Sequence, residues 1–239
     1  MTRAVADNPH TLAGGGEDDL SWLAGRIGRA DYTCLGCRGG GAESPDADLA
    51  ALVAEAGAGT VCEPTRVAEA RRAAGPHGRV IALIGWPTGR HHSLIKAAEA
   101  RMAVEDGADE VWVAVDAEAL AGEPGRDSEA ATAAATTTTT AAVNAALADI
   151  IAVSQMVDEP TRFGITCSDT VGERALQELA DAAVKVGVDV VAVGVEKRDA
   201  AVLPAVAETC SLAVHGRINS LDAAADVLLE GAERVYPAG

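Results

Sequence analysis

A chain of 239 residues and 24.1 kDa is long enough for one large α/β barrel or two small domains and too long for a disulfide-stapled miniature. Hydrophobic residues at 49% and charged residues at 23% exclude general disorder, and the 3% aromatic content requires a core of small aliphatic side chains. With 36 acidic residues against 19 basic ones, the net charge of −17 opposes nucleic-acid backbones and anionic membranes as partners, although a nest of backbone N–H groups can still hold one phosphate.

Residues 1–20 contain no apolar segment suited to a signal peptide, and no apolar run approaches a membrane span, so a cytoplasmic protein is expected. The five cysteines, Cys34, Cys37, Cys62, Cys167 and Cys210, are odd in number and read as free thiols. A tail with a short helix is expected over 1–29 and one barrel domain over 30–239.

One junction recurs along the chain. A helical stretch ends in Gly, two or three residues follow, and Val opens an apolar run: Gly57 to Val61, Gly107 to Val111, Gly187 to Val191 and Gly231 to Val235. Glycine just past a helix, followed by a β-branched strand, marks helix-to-strand turns in parallel sheets. Eight strands are expected, at 30–35, 60–62, 80–84, 110–115, 162–166, 188–193, 211–214 and 234–236. Helical patterns lie between them at 46–56, 64–74, 93–106, 143–157, 171–186, 199–208 and 221–230. Eight alternating units of this length predict a (β/α)8 TIM barrel. A doubly wound open sheet is the alternative, but no glycine-rich dinucleotide fingerprint supports it.

Two places break the pattern. The Ala/Thr run at 128–142 has five consecutive threonines, which favour neither helix nor strand, and predicts a solvated insertion. The sequence also ends four residues after Val235, which leaves no room for the usual last helix, and the segment at 18–25, a neighbouring subunit or nothing is expected to cover that face.

Residues 80–116, VIALIGWPTGRHHSLIKAAEARMAVEDGADEVWVAVD, resemble the central segment of deoxyribose-phosphate aldolases. That family has a strand ending in Gly-Phe-Pro-x-Gly, a helix with a lysine and an Ala/Glu face, then Asp-Gly-Ala-Asp-Glu and another strand. Asp31-Tyr32-Thr33 is similar to its Asp-His-Thr, and Val61-Cys62-Glu63-Pro64-Thr65-Arg66 to its Val-Cys-Val-Asn-Pro-Arg. The segment from His215 through Gly216, Arg217 and Ile218 to Ala224 is similar to its Ser-Gly-Gly-Ile-Arg-Thr-x-x-Asp-Ala. The resemblance implies a TIM barrel and retro-aldol cleavage of 2-deoxyribose 5-phosphate through a lysine Schiff base.

The chain departs from that pattern where the chemistry lies. Val191-Ala192-Val193 stands at the family's sixth-strand Val-Lys-Thr, and Leu212-Ala213-Val214 at its seventh-strand Val-Lys-Ala. Trp112 stands at a fourth-strand aspartate, and Tyr236-Pro237-Ala238-Gly239 replaces the Gly-Thr-Ser-Ser-Gly phosphate loop. Members of one covalent machine fail together, so a loss of family activity is expected.

The remaining lysines are Lys96, Lys185 and Lys197. Lys197, just beyond the sixth strand, is a candidate relocated amine, and Asp31 and His215 are candidate proton carriers. Cys62, Trp112, Thr166, Gly194, Gly216 and Arg217 are candidates to line a ligand. Cys34, Cys37, Cys62 and Cys167 with His215 offer the ligand types of a zinc site, but a lone Cys-x-x-Cys is a weak signal beside ordinary buried thiols, and neither metal nor cofactor is expected. Three functions follow: a family member without aldolase chemistry that binds a small sugar-phosphate or carbonyl compound or assembles with itself or an active paralogue; an enzyme of altered mechanism on such a ligand; or a working aldolase with a relocated lysine.

Overall fold

The structure is a computed structural model and describes residues 17–32, 45–121, 129–168, 170–195 and 203–238. Cys34, Cys37, Lys197 and the expected continuation of the first strand to residue 35 lie outside the described residues. The strands are β1 (Arg29–Asp31), β2 (Thr60–Cys62), β3 (Val80–Ile84), β4 (Glu110–Ala114), β5 (Arg162–Cys167), β6 (Val190–Gly194), β7 (Ser211–Gly216) and β8 (Arg234–Pro237). They pair in parallel in the order β1 to β8, and bridges from Ile27 to Val235 and from Ala30 to Ala238 join the last strand to the first. This is a TIM barrel; a sheet ordered from first strand to last, with its edges joined, rules out the doubly wound alternative.

The helices are α1 (Glu17–Ala24), α2 (Ala47–Glu55), α3 (Val67–Ala74, preceded by a 3-10 turn), α4 (Ser93–Glu105), α5 (Ala117–Ala121), α6 (Glu129–Ser154), α7 (Glu173–Lys185), α8 (Leu203–Thr209) and α9 (Leu221–Leu229). Each recurring junction does the same work. Gly107, Gly187 and Gly231 take positive φ values of 101°, 91° and 112°, which free the chain to turn into the next strand. Two residues on, the N–H groups of Asp109, Asp189 and Glu233 donate to Val80, Phe163 and Leu212 of the preceding strand. The Asp109 and Asp189 carboxylates also accept from the Val80 and Phe163 N–H groups, so the junction sets the register. At the first copy Ala56 adopts the left-handed conformation, φ 49°, and the positive-φ glycine is Gly59, φ 108°.

The Ala/Thr run is not a break. Helix α6 begins at Glu129 and continues through it to Ser154. Threonine disfavours helix by at most about 0.7 kcal/mol per residue, its alanine neighbours are the best helix formers, and the C-terminal half is anchored by buried Val143, Ala146, Ile150 and Val153. Helix α5 was not foreseen. Before β1, α1 packs on α2; Leu23 and Ile27 are buried, and the N–H of Gly28 donates to Val235 while that of Val235 donates to Arg26.

Alternation along the strands divides the apolar core in two. Outward residues such as Val80, Ala82, Val111, Val113 and Val193 pack under the helices, and a separate inner cluster of Val61, Ile81, Leu83, Trp112, Val190, Ala192, Ala213 and Tyr236 fills the lumen.

Candidate active site

The lumen is stacked in layers. At its N-terminal floor the Glu110 carboxylate receives two 2.9 Å hydrogen bonds from the Arg234 guanidinium and one of 2.6 Å from Trp112 Nε1. Arg234 Nη1 also donates to the Tyr236 hydroxyl, which donates to the Ala58 carbonyl. Both charges are buried, and every contact is one that a low-dielectric interior strengthens. Burial works against the charge on Arg234, but Tyr236 and the Glu110 carboxylate more than offset it and hold the group protonated. Burial also pushes the Tyr236 phenol up to about 12.

The middle layer is apolar. Ala192 and Ala213 are direct register partners on β6 and β7, and Ala192 also pairs with Thr166 on β5. Both alanines belong to the inner cluster with Trp112 and Tyr236, whose rings meet edge to face at 5.5 Å. Glycines make room for these rings. A Cβ on Gly164 would lie 2.6 Å from Trp112 Cδ1, and one on Gly28 would lie 2.4 Å from Tyr236 Cε1.

At the C-terminal mouth, where TIM barrels carry their chemistry, His215 is the hub. Its Nδ1 is 2.7 Å from the Tyr32 hydroxyl and its Nε2 2.9 Å from Thr166 Oγ1. The rings of Tyr32, Trp86 and His215 meet edge-on at 5.0–5.8 Å, and Trp112 lies beneath at 6.3 Å from His215. Of six aromatic residues in the whole chain, four converge on this lumen.

Of the residues singled out in the sequence, the structure brings together His215, Thr166 and Trp112. Gly194 pairs with His215 at the end of β6. Gly216, at φ 130°, ends the β7 pairing, and its Cβ would lie 3.2 Å from the Val195 nitrogen; Arg217 is half-buried just after it. Asp31 does not join them. Ala30 and Tyr32 face the lumen, so Asp31 points away and pairs with Arg66 at 3.3 Å.

The described cysteines do not converge at the mouth but are the ordinary thiols that the sequence favours. Cys62 and Cys167 sit in the outer core, across the barrel wall from His215, by the same alternation. Burial, reinforced by nearby Asp31, pushes the Cys62 thiol up to about 12. Among the described residues no cluster of His, Cys, Asp and Glu is arranged to hold a metal ion.

No described lysine enters the lumen. Lys96 is buried outside the strands, its Nζ donating to Asp149 at 2.8 Å and to the Ala114 carbonyl at 3.1 Å, where it ties α4 to α6. Lys185 is exposed at the end of α7. Sequence reasoning missed Tyr32, Trp86, Tyr236 and the Glu110–Arg234 pair as lumen residues. The signal was there: rare aromatics stood at strand ends, in a chain otherwise built from Ala, Val and Leu.

The fold and this lumen define an aldolase-type (β/α)8 barrel. The structure of the aldolase QR15 covers 90% of this chain and 90% of its own with a TM-score of 0.66 at 15% identity, and the tetrameric deoxyribose phosphate aldolase of Aeropyrum pernix covers 95% and 94% with a TM-score of 0.58 at 18% identity. The deoxyribose-phosphate aldolase of Nocardia farcinica is 33% identical over 222 residues, 87% of each chain, and that of Corynebacterium glutamicum is 41% identical over 90 residues, 36% of this chain and 38% of its own. No family model matches the chain. The chain belongs to the deoxyribose-phosphate aldolase family. No described helix is long and apolar enough to cross a membrane.

Proposed function

We propose that this chain is a family member that has given up retro-aldol cleavage of 2-deoxyribose 5-phosphate and acts as a binding or assembly partner, of itself or of an active paralogue. Cleaving a carbon–carbon bond next to a carbinol requires an electron sink, which a lysine Schiff base supplies. The observation that carries the reading is the pair Ala192 and Ala213, adjacent in register and buried in the inner cluster with Trp112 and Tyr236.

The resemblance places the family's two lysines at these positions. Both positions are buried in the inner cluster that holds the Trp112 and Tyr236 rings, and those rings are seated on glycines. His215 can exchange a proton but offers no electron sink, and both its ring nitrogens already face hydroxyls. Asp31, held by Arg66 on the other side of the strand, does not reach it. A sugar-phosphate or carbonyl ligand would therefore meet the rim formed by Tyr32, Trp86, Gly194, Gly216 and Arg217 rather than the lumen.

Aldehyde release from 2-deoxyribose 5-phosphate by the purified full chain tests this, with a lysine-bearing family aldolase alongside. Release indistinguishable from the protein-free reaction is expected; turnover that persists through repurification would overturn the reading.

A further inference from the structure

Three side chains at the ends of β1, β5 and β7 form an ordered chain across the barrel mouth. The Tyr32 hydroxyl lies 2.7 Å from His215 Nδ1, and His215 Nε2 lies 2.9 Å from Thr166 Oγ1. Tyr32 is half-buried, whereas His215 and Thr166 are 3% and 1% exposed, so the phenol is the member of the three that a ligand reaches. A hydroxyl bonded to an imidazole whose other nitrogen is held by a third group has the arrangement of a base-activated nucleophile.

Hydroxyl chemistry orders the two bonds. A phenol is a much stronger acid than an alkyl alcohol and a poorer acceptor, so the Tyr32 O–H donates to Nδ1 while the Nε2–H donates to Thr166 Oγ1. The Thr166 bond thereby selects the tautomer whose Nδ1 lone pair faces the phenol. The ring is also walled in, with Trp86 meeting it edge-on at 5.8 Å and Trp112 beneath it at 6.3 Å. Trp86 stands 5.0 Å from the Tyr32 ring and is itself half-buried, which gives an incoming molecule apolar surface beside the hydroxyl.

We propose that Tyr32 is a nucleophile that takes the acyl group of an activated carboxylic ester, with His215 as its general base and Thr166 as the residue that orients the imidazole. A phenol is a weak nucleophile near neutral pH and needs such a base. Tyr32 Oη bonds to the acyl carbon as its O–H bond breaks and the proton passes to His215 Nδ1. Collapse of the tetrahedral adduct breaks the bond to the leaving oxygen, which takes that proton from Nδ1, so the products are an acyl-tyrosine and a free alcohol or phenol. The step uses neither lysine nor electron sink and is independent of whether retro-aldol cleavage survives.

Reaction of the full chain with p-nitrophenyl acetate tests the proposal, followed by p-nitrophenol release and by peptide mass spectrometry. The expected result is a burst stoichiometric with the chain and an acetyl group on Tyr32, formed about 10²–10⁴-fold faster than on N-acetyltyrosinamide at the same pH. Tyr236, the other tyrosine of the chain, is fully buried with its hydroxyl donating to the Ala58 carbonyl and serves as the unreactive reference. Tyr32→Phe should abolish the burst and His215→Asn slow it by on the order of 100-fold. Thr166→Val should slow it as well, and Thr166→Ser, which keeps the acceptor, should restore it. Acylation of Tyr32 no faster than that of the free amide would overturn the proposal, as would an unchanged rate in a folded His215→Asn chain or acetyl groups confined to Lys185 and other amines. The comparison with the free amide needs no variant, so it decides even where a substitution unfolds the chain.

Discussion

Trp112 and Gly164 are register partners on neighbouring strands, and the indole lies so close over the glycine that a Cβ there would sit 2.6 Å from its Cδ1. The side chain that fills the lumen thus depends on one that is missing. Gly164→Ala is expected to destabilise the fold by about 1–3 kcal/mol through overpacking. The same substitution in a Trp112→Leu background should cost less, because part of the clash is gone; the Val190 carbonyl, 2.9 Å from that Cβ, keeps the remainder. Urea denaturation of the four proteins in the cycle measures the coupling, and equal costs in both backgrounds would separate the two residues.

The Glu110–Arg234 pair closes the floor beneath those rings. Removing one partner strands the other charge in a buried site, so Glu110→Gln should cost about 3–5 kcal/mol. Replacing both residues with apolar side chains of similar volume should cost less than either single change. Chemical denaturation checks both.

Thiol chemistry should follow burial. Cys62 is buried with its thiol pushed up to about 12, and Cys210 is pushed up to about 11, burial being the main cause in each. Alkylation at pH 8 followed by peptide mapping should label these two and buried Cys167 far more slowly in the native chain than in urea. Because the folded values lie above the ordinary thiol value of 9.0, their contribution to stability is complete below that pH and is lost as pH rises towards the folded values.

Asp46 works at the acid end. Its carboxylate accepts from the Leu49 N–H at 2.8 Å as the N-cap of α2 and from the Leu221 N–H at 2.9 Å at the start of α9. Those bonds, Leu49 first, hold its carboxyl below the ordinary 3.8. The stabilisation is therefore present above the unfolded value and lost as pH falls through the folded one. Asp46→Ala should lower the melting temperature at neutral pH, and the gap to the parent chain should close under strongly acidic conditions, while Asp46→Asn should keep most of the cap.

The barrel was readable because its signals are local. A helix-ending glycine, three spacer residues and a valine recur, and β2 and β3 fall on the expected residues 60–62 and 80–84. Helix α6 misled because threonine's local preference was weighed without its alanine neighbours and docked C-terminal half. The site was harder, since Tyr32 meets His215 across 183 residues of sequence and only closure of the barrel joins them. Parity was available for some of it. With Tyr32 facing inwards, Asp31 must face outwards, and Cys167 must oppose Thr166 by the same rule.

Among the described residues no amine enters the lumen, and Ala192 and Ala213 stand where the family resemblance expects lysines. Borohydride reduction of the full chain in the presence of 2-deoxyribose 5-phosphate, followed by intact mass spectrometry, tests it most directly. An unchanged mass is predicted. A stoichiometric reduced adduct, mapped to Lys197 or to any other lysine, would contradict it.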